Sequence, residues 1–206
     1  NSLVNEFQNQ EHCDIFEIRL DLIDLPLQEI RHLAQQLKRP LLFTARHPDE
    51  GGKGNLPAAK RAEMLESMLD MASLVDIELR SAMELSSTLQ KAQKARIPVI
   101  GSFHNFEATP NIDVLEGSID FGSQFQFSAV KIATFLNTAE DLTRLIQVMS
   151  KPRQIPLSVM GMGNLGKVSR LTLAKLGSIL NYGYLGEANA PGQWEASTLK
   201  RLINEL

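Results

Sequence analysis

A lysine stands in the middle of the stretch SAVKIAT (128–134), which otherwise has the composition of a buried β-strand. A continuous apolar run with β-branched residues is typical of a strand covered on both faces, and lysine is almost never fully buried unless it is paired. Lys131 could lie at the strand end and extend its amine to water. It could also be a buried amine that attacks a carbonyl carbon and forms a Schiff base. This stretch alone leaves both interpretations open.

Other polar residues stand at the ends of predicted strands. In EIRLD (17–21), strand alternation places Glu17, Arg19 and Asp21 on one face. Three inward charges would be unfavourable in a purely structural core, although a solvated edge strand would show the same pattern. The whole polar set comprises Glu17, Arg19, Asp21, Arg46, Glu50, Asp76, Glu78, His104, Lys131, Arg170 and Gln193.

A histidine ends the predicted strand in GSFHNFEATP (101–110). A neutral imidazole near pH 7 suits general acid–base catalysis when a carboxylate holds its other ring nitrogen. Glu50, in the loop PDEGG (48–52), is the candidate for that carboxylate. A lone histidine such as His104 is more often structural, and the paired glycines of the loop are the usual sign of a sharp turn.

The segment GMGNLG (161–166) matches the glycine spacing of a dinucleotide-binding turn, with Glu187 about 20 residues later. Its late position argues against that function, because a mononucleotide-binding half begins near the first strand and needs about three parallel strands. The same glycines would suit a mobile loop through which the backbone and Arg170 approach a small anion. The alternative for Arg170 is a surface charge at the start of a short helix.

Apolar strand-like runs alternate with amphipathic segments along all 206 residues, which predicts a single α/β domain with a parallel sheet. Because right-handed crossovers bring the strand ends to one edge, the polar set should converge there. The predicted strands are 14–20, 40–46, 74–79, 98–104, 129–134, 155–161 and 178–185. The predicted helices include 27–38, 59–72, 84–95, 139–151 and 196–206.

Composition argues against several classes of protein. The formal net charge of −3 provides no basic stripe for a phosphate backbone, so no nucleic-acid partner is expected. The single cysteine, Cys13, excludes an internal disulfide and a multi-cysteine zinc site. No run of 18 apolar residues and no signal-peptide pattern occurs, so we expect no membrane association and a cytoplasmic location.

Taken in order, these segments resemble the type I 3-dehydroquinate dehydratases, which are enzymes of the shikimate pathway. The resemblance covers nearly the whole chain. Each segment alone is weakly specific, but the series at strand ends is strongly specific. The matching segments are EIRLD, FTARHPDEGG, VDIEL, SFHNFEATP, VKIA, MGMGNLGKVSR and APGQ.

The resemblance implies a (β/α)8 barrel, a homodimer, the small-molecule substrate 3-dehydroquinate, and no metal or organic cofactor. It implies that Lys131 forms the Schiff base, that His104 is the general acid and base, and that Glu50 orients the histidine. Arg170 is similar to the arginine that binds the substrate carboxylate, which suits a planar guanidinium. The implied hydroxyl-recognising residues are Glu17, Arg19 and Arg46, and Gln193 falls in a loop that closes over the site in such enzymes.

The chain departs from the family pattern at two places. Asn189 replaces a serine that contacts substrate in many members, so that contact is not assigned here. The family also has a strand ahead of EIRLD, which we expect this chain to lack, and SLVNEF (2–7) is predicted to be the end of the first helix. The activity of this chain should then be low. A Schiff-base aldolase and a non-catalytic barrel remain the alternative functions.

Overall fold

The computed structural model describes residues 13–188 and 190–206 of the chain. In this part of the chain, six strands follow one another in a single sheet in chain order. They are β1 (Phe16–Arg19), β2 (Leu41–Thr44), β3 (Leu74–Glu78), β4 (Val99–Asn105), β5 (Ala129–Phe135) and β6 (Leu157–Met162). β1 pairs with β2, β2 with β3 and β5 with β6, each in parallel. The predicted α/β class is therefore confirmed.

The helices follow the strands as the apolar periodicity predicts. Most of the predicted segments end earlier than expected, because the last turn becomes irregular or 3-10 in form. The α-helices are α1 (Leu27–Ala34), α2 (Ala58–Glu66), α3 (Ser86–Lys94), α4 (Ile112–Gln124), α5 (Ala139–Ser150), α6 (Gly166–Lys175) and α7 (Ala196–Glu205). Short 3-10 turns cover Leu20–Leu22, Pro48–Glu50, Leu69–Met71 and Leu79–Ser81.

The chain divides into two compact units, the first ending at Ile100 and the second beginning at Gly101. In the first unit, every residue of β2 is buried, as the run LLFT predicts for a central strand. Apolar side chains of the neighbouring strands and helices complete this core. Its fully buried members include Leu20, Phe43, Leu65, Met68, Val75 and Ile77.

The second unit has its own apolar core along β5 and β6. Six of the seven residues of β5 and all residues of β6 are buried. α5 begins in a capping box, in which the Thr138 and Asp141 side chains bond reciprocally to the backbone of the first turn. A Cβ atom on Gly161 in β6 would lie 2.3 Å from a methyl carbon of Leu136, so a larger residue there would displace that side chain. β5 and β6 are thus tightly packed in this unit.

The predicted strand at 178–185 is wrong. This segment forms only an isolated bridge between Tyr184 and Glu195. Ile179 N–H donates to Leu157 O at 2.9 Å, but the next carbonyl, Leu180 O, accepts from the Ser158 hydroxyl at 2.8 Å. Side chains therefore form hydrogen bonds with backbone carbonyls that would pair with another strand in a regular sheet.

Two further differences concern β1 and α4. β1 ends at Arg19, so the strand alternation predicted for EIRLD stops before Asp21, which lies in a 3-10 turn. α4 was not among the predicted helices, although Asn111 signals its start by accepting a hydrogen bond from Val114 N–H at 3.0 Å. The predicted helix end at residues 2–7 lies outside the described residues.

No helix in the described part of the chain combines the length and the apolar composition needed to cross a bilayer.

Candidate active site

The first unit contains a buried network of paired charges around Arg46. Its guanidinium Nη1 donates to Asp76 Oδ1 and to Glu78 Oε1, each at 2.9 Å, and the residue is 2% exposed. Burial lowers the pKa of Arg46, but the charges of Asp76, Glu78 and Glu17 outweigh it and raise the pKa above its ordinary value. Arg46 is therefore a fixed cation with a fixed orientation.

A second arginine, Arg61 on α2, completes this network. Its Nη1 donates to Glu78 Oε2 at 3.2 Å and to Ser81 Oγ at 3.0 Å. The Glu78 carboxylate thus lies between two buried guanidinium groups, and it also accepts the His47 backbone N–H at 3.0 Å. Arg61 was not predicted as a site residue, because a single arginine in a polar helix carries no local signal of burial.

Asp21 joins β1 to the loop that follows β2. Its carboxylate accepts from Arg19 Nε at 2.8 Å and Arg19 Nη2 at 2.6 Å. It also accepts the backbone N–H groups of Arg46 and Lys53, each at 3.2 Å. Burial raises the pKa of Asp21, but the hydrogen bonds and the charge of Arg19, together with these N–H groups, outweigh it and lower the pKa. One carboxylate therefore holds both ends of the loop 46–53.

Glu50 lies inside this loop and is buried. The backbone N–H groups of Glu50 and Gly52 both donate to His47 O at 3.0 Å, which closes a tight turn. Gly51 has a φ of 83°, a conformation that glycine adopts without strain. A Cβ atom on Gly52 would lie 2.3 Å from Arg46 O. The two glycines are therefore required by the geometry that buries the Glu50 carboxyl group.

Glu17 and Arg19, the other predicted site residues of this unit, are half-buried in β1. Thr44 Oγ1 donates to Glu17 Oε1 at 2.8 Å. Arg19 Nη2 donates to Gly51 O at 3.1 Å in addition to its bonds with Asp21. Both side chains are thus held by neighbours at the carboxyl ends of β1 and β2, as the strand-end argument predicts.

In the second unit, Lys131 occupies the third position of β5 and is 4% exposed. Its Nζ atom lies 4.0 Å from the centroid of the Tyr182 ring, a separation typical of a cation–π contact. The interpretation in which the amine extends to bulk water does not fit this burial. The role of Tyr182 was not predicted, because this residue lies within a segment that was predicted to be a regular strand.

Arg170, on α6, is 3% exposed. Its Nη1 donates to Tyr182 O at 2.9 Å and lies 3.5 Å from Met160 Sδ. None of the ion pairs among residues 13–188 and 190–206 includes Arg170, and burial lowers the pKa of its guanidinium to about 10. The group remains cationic at neutral pH and has no compensating carboxylate within the described residues. Its alternative assignment as a surface charge is wrong.

His104 is the last residue but one of β4 and is half-buried. Its imidazole stacks on the ring of Phe106, with centroids 6.5 Å apart and planes at 18°. The structure therefore places Lys131 and His104 on consecutive strands of the same unit.

The loop that contains Gln193 contacts the segment GMGNLG (161–166). Pro191 O accepts from Gly163 N–H at 3.1 Å, and Gly166 and Gly192 approach so closely that a Cβ atom on Gly166 would lie 3.0 Å from Gly192 Cα. Gln193 is half-buried and its Oε1 accepts from Ala190 N–H at 3.3 Å. The glycine spacing therefore has a physical cause other than a nucleotide, namely close backbone contact with residues 191–192.

No group of three or more His, Cys, Asp and Glu side chains in the described ranges is arranged to hold a metal ion. Asn189 lies outside the described residues.

A model of the family "Type I 3-dehydroquinase" matches residues 3–206. The 3-dehydroquinate dehydratase of Thermodesulfovibrio yellowstonii is 34% identical over 185 residues, which are 88% of this chain and 80% of that protein. The enzyme of the same name from Methanococcus vannielii is 33% identical over 212 residues, covering 98% of this chain and 93% of that protein.

Among solved structures, the 3-dehydroquinate dehydratase from Aquifex aeolicus VF5 superposes with a TM-score of 0.87 at 27% identity. The match covers 100% of this chain and 95% of the Aquifex chain. Because sequence and structure agree over nearly the full length, the chain belongs to the type I 3-dehydroquinase family.

Proposed function

We propose that this protein converts 3-dehydroquinate to 3-dehydroshikimate, with loss of one water molecule, through a Schiff base on Lys131. This is the chemistry expected of a hydro-lyase of the type I 3-dehydroquinase family in the shikimate pathway. The relatives that match most of the chain carry the name 3-dehydroquinate dehydratase.

The observation that carries the proposal is a buried amine and a buried guanidinium that share one neighbour. The Lys131 amine lies over the Tyr182 ring, and Arg170 donates to the carbonyl of the same residue. A buried guanidinium without a carboxylate partner in the described residues favours an anionic ligand. An amine and an anion site in the same unit suit a substrate that carries a ketone and a carboxylate.

In the proposed reaction, the Lys131 amine adds to the C3 ketone, and loss of water gives a protonated imine. The positive charge acidifies the C2–H bond, because the electrons of the developing enamine are drawn toward the imine nitrogen. His104 takes the C2 proton and returns a proton to the C1 hydroxyl, which leaves as water. Hydrolysis of the imine then consumes the water released in its formation and frees Lys131.

The roles of the remaining site residues follow the resemblance. We assign Glu50 as the carboxylate that orients His104, which its burial and its tightly fixed loop support. Arg170 is assigned to the substrate carboxylate. Glu17, Arg19 and Arg46 are assigned to the hydroxyl groups, and Gln193 to the closing loop. We also propose a cytoplasmic homodimer that needs no metal or organic cofactor.

Borohydride reduction in the presence of 3-dehydroquinate tests this proposal. The protein should lose activity, and peptide mass spectrometry should find the reduced adduct on Lys131. His104→Ala should still form the adduct, but its kcat should fall by about 10²–10⁴ because acid–base assistance is lost. Active protein with no adduct, or with an adduct on another lysine, would rule out the mechanism. Near-normal turnover of His104→Ala would remove His104 from it.

A further inference from the structure

The segment that follows β4 is bonded to the segment that follows β5. Asn105 Oδ1 accepts the backbone N–H groups of Glu107 and Ala108, each at 2.9 Å, which folds the chain into a tight turn directly after His104. Asn137, beyond the end of β5, donates from Nδ2 to Glu107 O at 2.9 Å. These bonds connect the chain next to His104 with the chain beyond Lys131.

Thr109 is the buried member of this connection. Its Oγ1 lies 2.9 Å from Phe135 O and 2.8 Å from Thr134 Oγ1, and both threonines are buried. A hydroxyl has one proton, and the carbonyl of Phe135 can only accept. Thr109 therefore donates to Phe135 O, and Thr134 donates to Thr109. Thr109 O also accepts from Arg144 Nη2 at 3.3 Å, so the hydroxyl and the carbonyl of the residue are both engaged.

The hydrogen bonds of Thr109 link the chain segments that carry His104 and Lys131. Phe135 is the last residue of β5, which carries Lys131. Phe106, whose ring stacks on the His104 imidazole, lies in the turn that Thr109 ends. A displacement of this turn would move the surface against which the imidazole rests. It would leave the buried Lys131 amine in its strand.

We propose that Thr109 is a positioning residue, which holds the His104 side chain in register with the imine carbon on Lys131. This inference rests on the proposed function and adds a residue to which no role in the reaction was assigned above. The side chain of Thr109 acts through the turn 105–109 and need not contact substrate. Its loss should affect proton transfer more than imine formation or substrate binding.

Thr109→Val tests the proposal, because valine has the same shape but cannot hydrogen-bond. We expect kcat to fall about tenfold or more, since small misplacements of a reacting group reduce the rate steeply. KM and borohydride trapping on Lys131 should change little. Thr109→Ser keeps the hydroxyl and should restore kcat. Thr134→Val removes only one of the two bonds and should give an intermediate kcat.

Thr88→Val is the matched control. Thr88 is also buried, and its hydroxyl donates to Glu66 Oε1 at 2.9 Å in the first unit. This variant should show a similar loss of thermal stability with wild-type kcat. All variants are assayed well below their melting temperatures.

The inference is overturned if Thr109→Val keeps the wild-type kcat, if Thr109→Ser is as impaired as Thr109→Val, or if Thr88→Val lowers kcat equally. Should Thr109→Val fail to fold, a wild-type kcat in Thr134→Val overturns it alone. A failure of the proposed function can be told apart from a failure of this inference, because the wild-type protein would then give no adduct on Lys131.

Discussion

The buried arginines of the two units differ in the groups that they contact. In the first unit, the buried arginines are neutralised within the protein, since Arg46 and Arg61 share the carboxylate of Glu78. In the second unit, the buried guanidinium of Arg170 contacts a carbonyl and a sulfur atom and has no carboxylate partner within the described residues. The first arrangement fixes side chains, and the second leaves positive charge for a ligand to neutralise.

This difference has separate consequences for stability and for ligand binding. Paired, buried side chains lose little orientational freedom when a ligand binds, because the folded protein has already fixed them. A buried guanidinium without a carboxylate destabilises the protein until an anion arrives. Mutations at the paired Glu78 carboxylate should therefore act mainly through stability, and mutations at Arg170 mainly through binding.

The sharpest test of the first unit is Glu78→Gln. Removing this negative charge leaves two buried guanidinium groups without their shared partner, and we expect the free energy of unfolding to fall by about 3–5 kcal/mol. Denaturant unfolding at pH 7 measures the change.

Glu84→Gln is the control, because Glu84 contacts the same Arg61 at 3.3 Å but its side chain is 56% exposed, against 1% for Glu78. That variant should lose only about 0–1 kcal/mol. Equal losses in the two variants would contradict the view that burial makes the Glu78 pairing important.

The strand ends were predictable from sequence, because strand periodicity and charged residues are local signals. EIRLD and SAVKIAT placed Glu17 and Lys131 correctly on β1 and β5. The partners were not predictable, since Arg61 and Tyr182 reach their neighbours only through the tertiary fold. The same reason explains the wrong strand at 178–185, whose apolar composition suits a strand but whose carbonyls are taken by side chains.

The complementary test of the second unit is Arg170→Met. Loss of a charge-assisted pair should weaken binding of the substrate carboxylate by roughly 1.5–3 kcal/mol, seen as a raised KM. Because methionine removes an uncompensated buried charge, the free energy of unfolding should stay the same or rise by about 0.5–2 kcal/mol.

Arg46→Met is the matched substitution in the first unit, and it should lower stability because Asp76 and Glu78 lose their partner. Calorimetry on the two variants compares their effects on stability. A loss of stability in Arg170→Met as large as that in Arg46→Met would show that the two units do not differ in this way.

The smallest expected effect concerns Asp21, the carboxylate that holds the loop 46–53. Asp21→Asn keeps one acceptor oxygen but replaces the other with a donor. We therefore expect the free energy of unfolding at neutral pH to fall by about 1 kcal/mol. The pKa of Asp21 is lowered from its ordinary value of 3.8 in the folded protein. Its stabilising contribution is therefore fully present above that value and is lost as the pH falls through the folded pKa.

The difference in stability between wild type and Asp21→Asn should consequently be largest near neutral pH and should shrink below pH 3.8. Other carboxyl groups with lowered pKa values, such as Glu66 and Glu116, titrate in both proteins and cancel in the comparison. Asp24→Asn removes an exposed carboxyl group on the same segment and should change the stability little at neutral pH. A difference that stays constant from pH 7 to pH 3 would mean that the charge of Asp21 does not hold the loop, and that the shape of its side chain is sufficient.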